Sequence, residues 1–147
     1  MTAVSTEAED LELVLFRSGE LLCGIDVRRV REINRNLDIT AVHRAPEYVR
    51  GVLNLRGQLL TVIDLRRKLG MDSAEIDADM RVVVIRRDGA EVGLLVCQIV
   101  DIIAASGANM EPPPANVAGV AGIFFRAVYK MGSALAAVLD LDRVFEK

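Results

Sequence analysis

Histidine, cysteine and tryptophan are scarce in this chain of 147 residues, which has one histidine, two cysteines and no tryptophan. One histidine and two separated cysteines do not make a zinc-binding spacing, nor do two cysteines make a disulfide framework. Cys23 and Cys97 lie in apolar runs and are expected to be buried thiols, whereas His43, in a polar segment, is expected at the surface. We therefore predict no catalytic residue, metal site, cofactor or enzymatic activity.

Long hydrophobic runs are also missing. The longest apolar segment, residues 92–105, is shorter than the roughly 20 residues of a membrane helix and contains Gln98 and Asp101. Residues 1–10 lack both the basic and the apolar region of a signal peptide. The sequence thus predicts a disordered leader at 1–10, a cytoplasmic location and no direct insertion into a membrane.

Apolar residues, by contrast, are abundant and make up 52% of the chain. An average soluble domain reaches roughly 45–50% even when glycine is counted, so a disordered chain is excluded and a surface covered by a protein partner is expected. The net charge of −3 argues weakly against nucleic acid, yet ten of the 18 basic residues fall within 28–68. That stretch leaves an arginine-rich, phosphate-binding surface open as an alternative.

Short apolar segments rich in strand-forming residues recur along the chain, separated by turn-forming residues. The three-residue spacing of Val27, Val30 and Ile33 predicts a short helix after the second strand. Because strands dominate and their connections are short, the pattern is typical of an all-β barrel protein. The predicted strands are 11–17, 21–26, 38–42, 51–55, 58–65, 81–87 and 91–100, with an acidic linker at 71–79 and a final helix at about 142–146.

An internal repeat divides the chain into two similar halves. Because a half of this size buries little surface alone, we infer two related half-domains of about five strands, 11–70 and 81–147, that share a hydrophobic core, with strand exchange possible. Asp64 and Asp140 occupy matching positions, which favours capping of the following helical turn over paired catalytic carboxylates. The repeat matches residues 24–33 with 93–102, 46–52 with 114–120 and 62–65 with 138–141.

The sequence Asn54-Leu55-Arg56-Gly57 breaks this repeat, because its aligned counterpart at 122–125 contains no arginine. One interpretation is a plain hairpin tip in which Gly57 supplies backbone freedom. The other is a functional arginine, since a guanidinium binds carboxylates and is frequent at interaction surfaces. Glu32, on the predicted short helix, is a candidate partner of Arg56. The residues alone leave both interpretations open.

Two blocks, residues 24–33 and residues 46–66 with their Asn-Leu-Arg-Gly motif, resemble the CheW-type chemotaxis coupling domain, and the resemblance extends over about 10–147. It implies two SH3-like five-stranded β-barrels that share a hydrophobic core and carry short helical turns. It also implies a non-enzymatic adaptor that couples chemoreceptors (methyl-accepting chemotaxis proteins) to a CheA-type histidine kinase. Its partners would be the regulatory domain of the kinase and the cytoplasmic tips of receptors in membrane-associated arrays.

The resemblance also suggests which residues contact these partners. Arg56 and Glu32 match positions tied to coupling, and Val30 and Ile39 match positions near receptor or kinase contacts, while Asn54, Leu55 and Gly57 complete the motif. The chain departs from the family at Thr61, where proline is frequent, and at residues 122–132. Two alternatives stay open: an adaptor in another chemosensory system, such as pilus motility or gliding, and an SH3-like nucleic-acid-binding module using 28–68.

Overall fold

The computed structural model describes residues 10–146. The leader predicted at 1–10 therefore lies, apart from Asp10, outside the described residues. Strands dominate and helices are single turns, which confirms the predicted all-β class. The strands are β1 (Leu11–Ser18), β2 (Leu21–Asp26), β3 (Val30–Asn34), β4 (Val49–Leu55), β5 (Gln58–Asp64), β6 (Arg81–Arg87), β7 (Ala90–Val96), β8 (Gln98–Ala105), β9 (Met110–Glu111), β10 (Asn116–Val117), β11 (Val120–Ala121), β12 (Phe125–Met131) and β13 (Ala134–Leu139). The helices are α1 (Leu65–Lys68), α2 (Leu141–Val144) and three 3-10 turns at Val27–Arg29, Gly107–Asn109 and Gly122–Phe124.

Residues 29–99 form one compact unit, here called the central unit. Its five-stranded sheet has the order β3-β6-β7-β5-β4, with β5 and β7 parallel to each other. Alternate side chains of these strands point inward and are removed from water. The resulting core contains Leu53, Leu60, Val62, Val82 and Leu95.

The described residues 10–28 and 100–146 form the second compact unit, here called the terminal unit. Its main sheet has the order β8-β1-β2-β13-β12-β9, and β10 pairs with β11 in a separate two-stranded sheet. Leu13, Leu15, Tyr129, Ala136 and Val138 belong to its core. The two-residue strand β9 gives this sheet six strands where five were predicted.

Each unit combines strands from both halves of the sequence repeat, so the units do not follow the predicted boundaries 11–70 and 81–147. The hairpin β1–β2 pairs with β13, and the hairpin β6–β7 pairs with β5. Two of the three matched blocks take equivalent positions, since Val62 pairs with Gly93 and Val138 pairs with Gly24. The third does not, because 46–52 leads into β4 whereas 114–120 contributes to the β10–β11 hairpin. The predicted common core of the two halves stays a prediction.

Three local expectations were wrong. The predicted helix is one 3-10 turn followed by β3, where a β-bulge lies between Val30 and Glu32. A bulge adds one residue to a strand, so the three-residue spacing of Val30 and Ile33 can arise in a strand as well as in a helix. The strand predicted at 38–42 is reduced to one bridge between Thr40 and Val52. Cys97, at the junction of β7 and β8, is half-buried, whereas Cys23 is buried as expected.

Candidate functional site

Arg56 and Glu32 form an ion pair across the central unit. Arg56 lies at the hairpin tip after β4, and Glu32 lies on β3, so the residues belong to opposite edges of one five-stranded sheet. Nη2 of Arg56 is 2.5 Å from Oε1 of Glu32, and Nη1 is 3.4 Å from Oε2. The contact is possible because the sheet curls until its edges approach each other, as in a barrel. The sequence correctly paired these residues, although Glu32 lies on a strand instead of the predicted helix.

Hydrogen bonds to the Glu32 carboxylate stabilise the charged form of both members of this pair. The Arg56 guanidinium, assisted by the Asn34 amide 2.9 Å from Oε2, holds the pKa of the Glu32 carboxyl below its ordinary value. The same hydrogen bond and the charge of Glu32 raise the pKa of Arg56. The Arg56 side chain nevertheless stays 59% exposed, against 26% for Glu32. The pair is therefore charged at neutral pH and open to a partner.

The backbone of Arg56 is in a conformation that arginine rarely adopts. Two-residue turns with a positive φ in the first position connect β1 to β2, β4 to β5, β6 to β7 and β12 to β13. That first position is Gly19, Arg56, Asp88 or Gly132, with φ between 46° and 63°. Glycine, asparagine and aspartate tolerate this region, whereas other side chains are strained there. Arg44 and Ala118 also have a positive φ, so it is the ion pair with Glu32, together with this conformation, that favours a role for the Arg56 side chain.

The pairing register also corrects the counterpart of the motif in the other half. Leu55 pairs with Gln58 as Met131 pairs with Ala134. Arg56 is thus equivalent to Gly132, and the motif corresponds to residues 130–133 instead of 122–125. Residues inserted between Pro114 and β12 in the second half shifted the sequence alignment. The equivalent turn has glycine in its first position, although, of these two turns, only Arg56-Gly57 has a positive φ at both positions.

The other predicted site residues have supporting positions. Asn54 accepts a hydrogen bond from the Gly57 backbone N–H at 3.0 Å and so fixes the turn beneath Arg56. Leu55 and Ile39 are half-buried and pack against the core of the central unit. Val30 is half-buried at the start of β3. Arg56 and Glu32 thus contact each other, whereas Val30 is placed only on the same strand as Glu32.

Sequence reasoning missed three residues beside the motif. Nε of Arg31 is 3.0 Å from Oε2 of Glu91, which forms a second ion pair near the first. Leu59, which pairs with Asn54 across the hairpin, is 72% exposed. The signal available in the sequence is the position of Leu59 three residues after Arg56, next to the tip of the hairpin.

Many arginines of the stretch 28–68 are already paired with carboxylates. Such pairing reduces the positive charge offered to a phosphate backbone, so the structure does not favour the nucleic-acid alternative. Ion pairs join Arg28 to Asp26, Arg31 to Glu91, Arg50 to Asp64, Arg56 to Glu32 and Arg67 to Glu47.

The described part of the chain offers neither a metal site nor a membrane helix. Within residues 10–146, no three histidine, cysteine, aspartate or glutamate side chains are grouped so that they could hold a metal ion. No helix in that range has the length and hydrophobicity needed to cross a membrane.

Comparison with known proteins gives one consistent family. The CheW-like domain family matches residues 12–147. The chain is 34% identical over 134 residues to the chemotaxis protein CheW of Rhizobium meliloti, covering 91% of this chain and 86% of that protein. It is 28% identical over 141 residues to CheW of Treponema pallidum, covering 93% and 83%. The crystal structure of the scaffolding protein TtCheW from Thermoanaerobacter tengcongensis has a TM-score of 0.85 and 28% identity, covering 95% and 90% of the two chains.

Proposed function

Since this chain belongs to the CheW-like family of chemotaxis proteins, we propose that it is a non-enzymatic adaptor that couples chemoreceptors to a CheA-type histidine kinase. It binds the regulatory domain of the kinase and the cytoplasmic tips of the receptors. These contacts recruit the protein from the cytoplasm to receptor arrays at the membrane. Val30, Glu32, Ile39 and the Asn54–Gly57 motif belong to its contact surface.

The observation that supports this proposal most strongly is the exposed, strained arginine. Arg56 has the same turn position as Gly132, yet it has a side chain that the backbone geometry disfavours. A guanidinium has five N–H donors, and the described contacts of Arg56 with Glu32 leave donors for a further acceptor. A partner carboxylate or carbonyl can therefore bind Arg56 while Glu32 keeps the guanidinium oriented. Arginine held in this way is typical of interaction hot spots.

Calorimetric titration against the regulatory domain of the cognate kinase tests the proposal. We expect micromolar or tighter binding with a negative heat-capacity change, because apolar surface becomes buried on binding. Arg56→Gly keeps the turn conformation and should weaken binding about tenfold or more. Arg17→Ala, which removes an exposed arginine of the terminal unit, is the matched control and should bind like the parent protein.

The same titration distinguishes the nucleic-acid alternative. A random-sequence oligonucleotide is titrated at two salt concentrations, since phosphate binding weakens steeply with salt. Tight, salt-sensitive binding to the oligonucleotide, together with no binding to the kinase domain, would contradict the adaptor function.

A further inference from the structure

Strand β8 forms one edge of the main sheet of the terminal unit. The sheet has the order β8-β1-β2-β13-β12-β9, so β8 is paired with β1 on one side only. Within residues 10–146, no strand and no backbone hydrogen bond is found on the other side of β8. An edge of this kind presents unpaired N–H and C=O groups, to which a further strand can add.

The edge strand is also long and apolar. β8 has eight residues, Gln98–Ala105, and Asp101 is the only charged one among them. Val100 and Ile102 are 48% and 56% exposed, and both lie on one face because alternate residues of a strand point the same way. Two copies of a protein can pair through a long, exposed, apolar edge strand. Two β8 edges would therefore suit each other, apart from Asp101.

Asp101 blocks the middle of this edge. Its Oδ1 accepts a hydrogen bond of 2.8 Å from the backbone N–H of Ile102, the next residue. An N–H of the ladder has a backbone carbonyl as its acceptor, whereas this N–H has a side chain, so it is directed to the open side of β8. Hydrogen bonds with an ionised partner are roughly twice as strong as neutral ones. An incoming strand would have to displace the carboxylate before it could pair with Ile102.

The sequence repeat explains why this carboxylate is available. Asp101 is matched with Glu32, and the turn residue equivalent to Arg56 is Gly132. In the central unit, Glu32 is bound to the guanidinium of Arg56. In the terminal unit, glycine at the equivalent turn position offers Asp101 no guanidinium. The carboxylate of Asp101 is thus left to bind the backbone of its own strand.

We propose that Asp101 prevents two copies of this protein from pairing through their β8 strands. Its carboxylate occupies the Ile102 N–H, and it also adds repulsion between like charges. In an antiparallel pair centred on Ile102, the two Asp101 residues would be diagonal neighbours, about 7–8 Å apart. Pairing would also remove both carboxylates from water, which is costly without a partner of opposite charge. This protection concerns the free protein and is independent of the proposed adaptor function.

Asp101→Val tests the protection, and Glu12→Val is the matched control. Glu12 is an exposed acidic residue of the same sheet, but its strand β1 already has a neighbour on both sides. Each substitution removes one negative charge and adds one strand-forming apolar side chain, so both variants should keep the thermal unfolding midpoint of the parent. Only Asp101→Val frees an edge.

Sedimentation equilibrium over a range of protein concentrations measures the result. The parent and Glu12→Val should be monomeric. Asp101→Val should dimerise with a dissociation constant at least about tenfold lower than that of any self-association of the parent, because each copy no longer has to give up a hydrogen bond to a charged group. A monomeric Asp101→Val, or equal self-association of Asp101→Val and Glu12→Val, would overturn the proposal.

Two double variants separate edge pairing from a general increase in apolar surface. Asp101→Val/Ile102→Pro lacks the N–H and should be monomeric again, since proline is tolerated on an edge strand where the N–H faces solvent. Asp101→Val/Ile102→Thr loses the same isoleucine side chain but keeps the N–H, so it should still dimerise. Self-association that persists in the proline variant, or that disappears equally from both double variants, would overturn the assignment of the contact to the β8 edge.

Discussion

The two capping aspartates occupy equivalent positions but have different numbers of hydrogen-bond partners. Asp64 caps α1 by accepting from the backbone N–H of Arg66 at 3.0 Å, and it also accepts from Nη1 of Arg50 at 3.1 Å and from Oγ of Ser73 at 2.8 Å. Asp140 caps α2 through the backbone N–H of Arg143 at 3.3 Å. Since Asp64 is only 2% exposed, replacing it should lower the free energy of unfolding much more than replacing Asp140.

The structure sets the expected magnitudes. Asp140→Ala removes a helix cap and should lower the free energy of unfolding by about 1 kcal/mol. Asp64→Ala removes a cap and breaks the ion pair with Arg50, while the hydroxyl of the exposed Ser73 can bond to water instead. We expect this substitution to lower the free energy of unfolding by about 3 kcal/mol. This value is at the lower end for breaking a buried ion pair, because the Arg50 side chain is 26% exposed and can be hydrated again. The two variants should thus differ by about 2 kcal/mol.

Urea unfolding followed by circular dichroism measures this difference directly. The denaturant slope should be the same for both variants, so that the midpoints report stability alone. Asp64→Asn keeps one side-chain oxygen as a cap and should fall between the parent and Asp64→Ala. Equal losses from the two alanine variants would refute the reasoning, because the additional partners of Asp64 would then contribute nothing.

Three further predictions concern the site and its support. Arg56→Gly should leave the urea midpoint unchanged or raised, because glycine suits the positive φ and an exposed ion pair stabilises little; a large drop would make Arg56 a structural residue. NMR titration should give Glu32 a carboxyl pKa below 4.5 that rises toward this ordinary value in Arg56→Gly. Because the folded-state pKa is lowered, the stabilisation from the pair should be complete above about pH 4.5 and disappear as the pH falls through the lowered pKa. Gly51→Ala should lower the free energy of unfolding by about 3 kcal/mol, since a Cβ at Gly51 would clash with the carbonyl oxygen of Thr40. A Cβ at Gly57 would meet no atom, so Gly57→Ala should cost about 1 kcal/mol through backbone strain alone. Similar urea midpoints for the two variants would contradict the steric argument.

Features governed by local periodicity could be predicted from the sequence. Apolar runs separated by glycine-containing turns gave the hairpins at β1–β2 and β4–β5 at nearly the observed bounds, because alternation and turn chemistry act over a few residues. The repeat correctly matched Asp64 with Asp140 as helix caps. These features need no knowledge of distant contacts.

Features that depend on distant residues could not be predicted in this way. The bulge at Val30 is defined by the pairing of β3 with β6, more than 50 residues later. The hairpin β1–β2 pairs with β13, and the hairpin β6–β7 pairs with β5. The repeat is equally compatible with each hairpin pairing within its own half, so the sequence does not decide between the two arrangements. The exposure of Leu59 likewise depends on tertiary structure, because no other strand of the described residues covers the tip of the β4–β5 hairpin. The sequence therefore indicates candidate residues that form a local motif, such as Arg56. It does not indicate residues such as Arg31 and Glu91, which come together only because their strands belong to the same sheet.

The most direct test of the central claim is kinase phosphorylation in membranes that contain the cognate chemoreceptors, measured with and without this protein. We expect the parent protein to place the kinase under receptor control, and folded Arg56→Gly to do so at least about tenfold less well at equal concentration. Equal coupling by Arg56→Gly and the parent would contradict the role of the Asn54–Gly57 tip. No effect of the parent protein on the kinase would contradict the adaptor function itself.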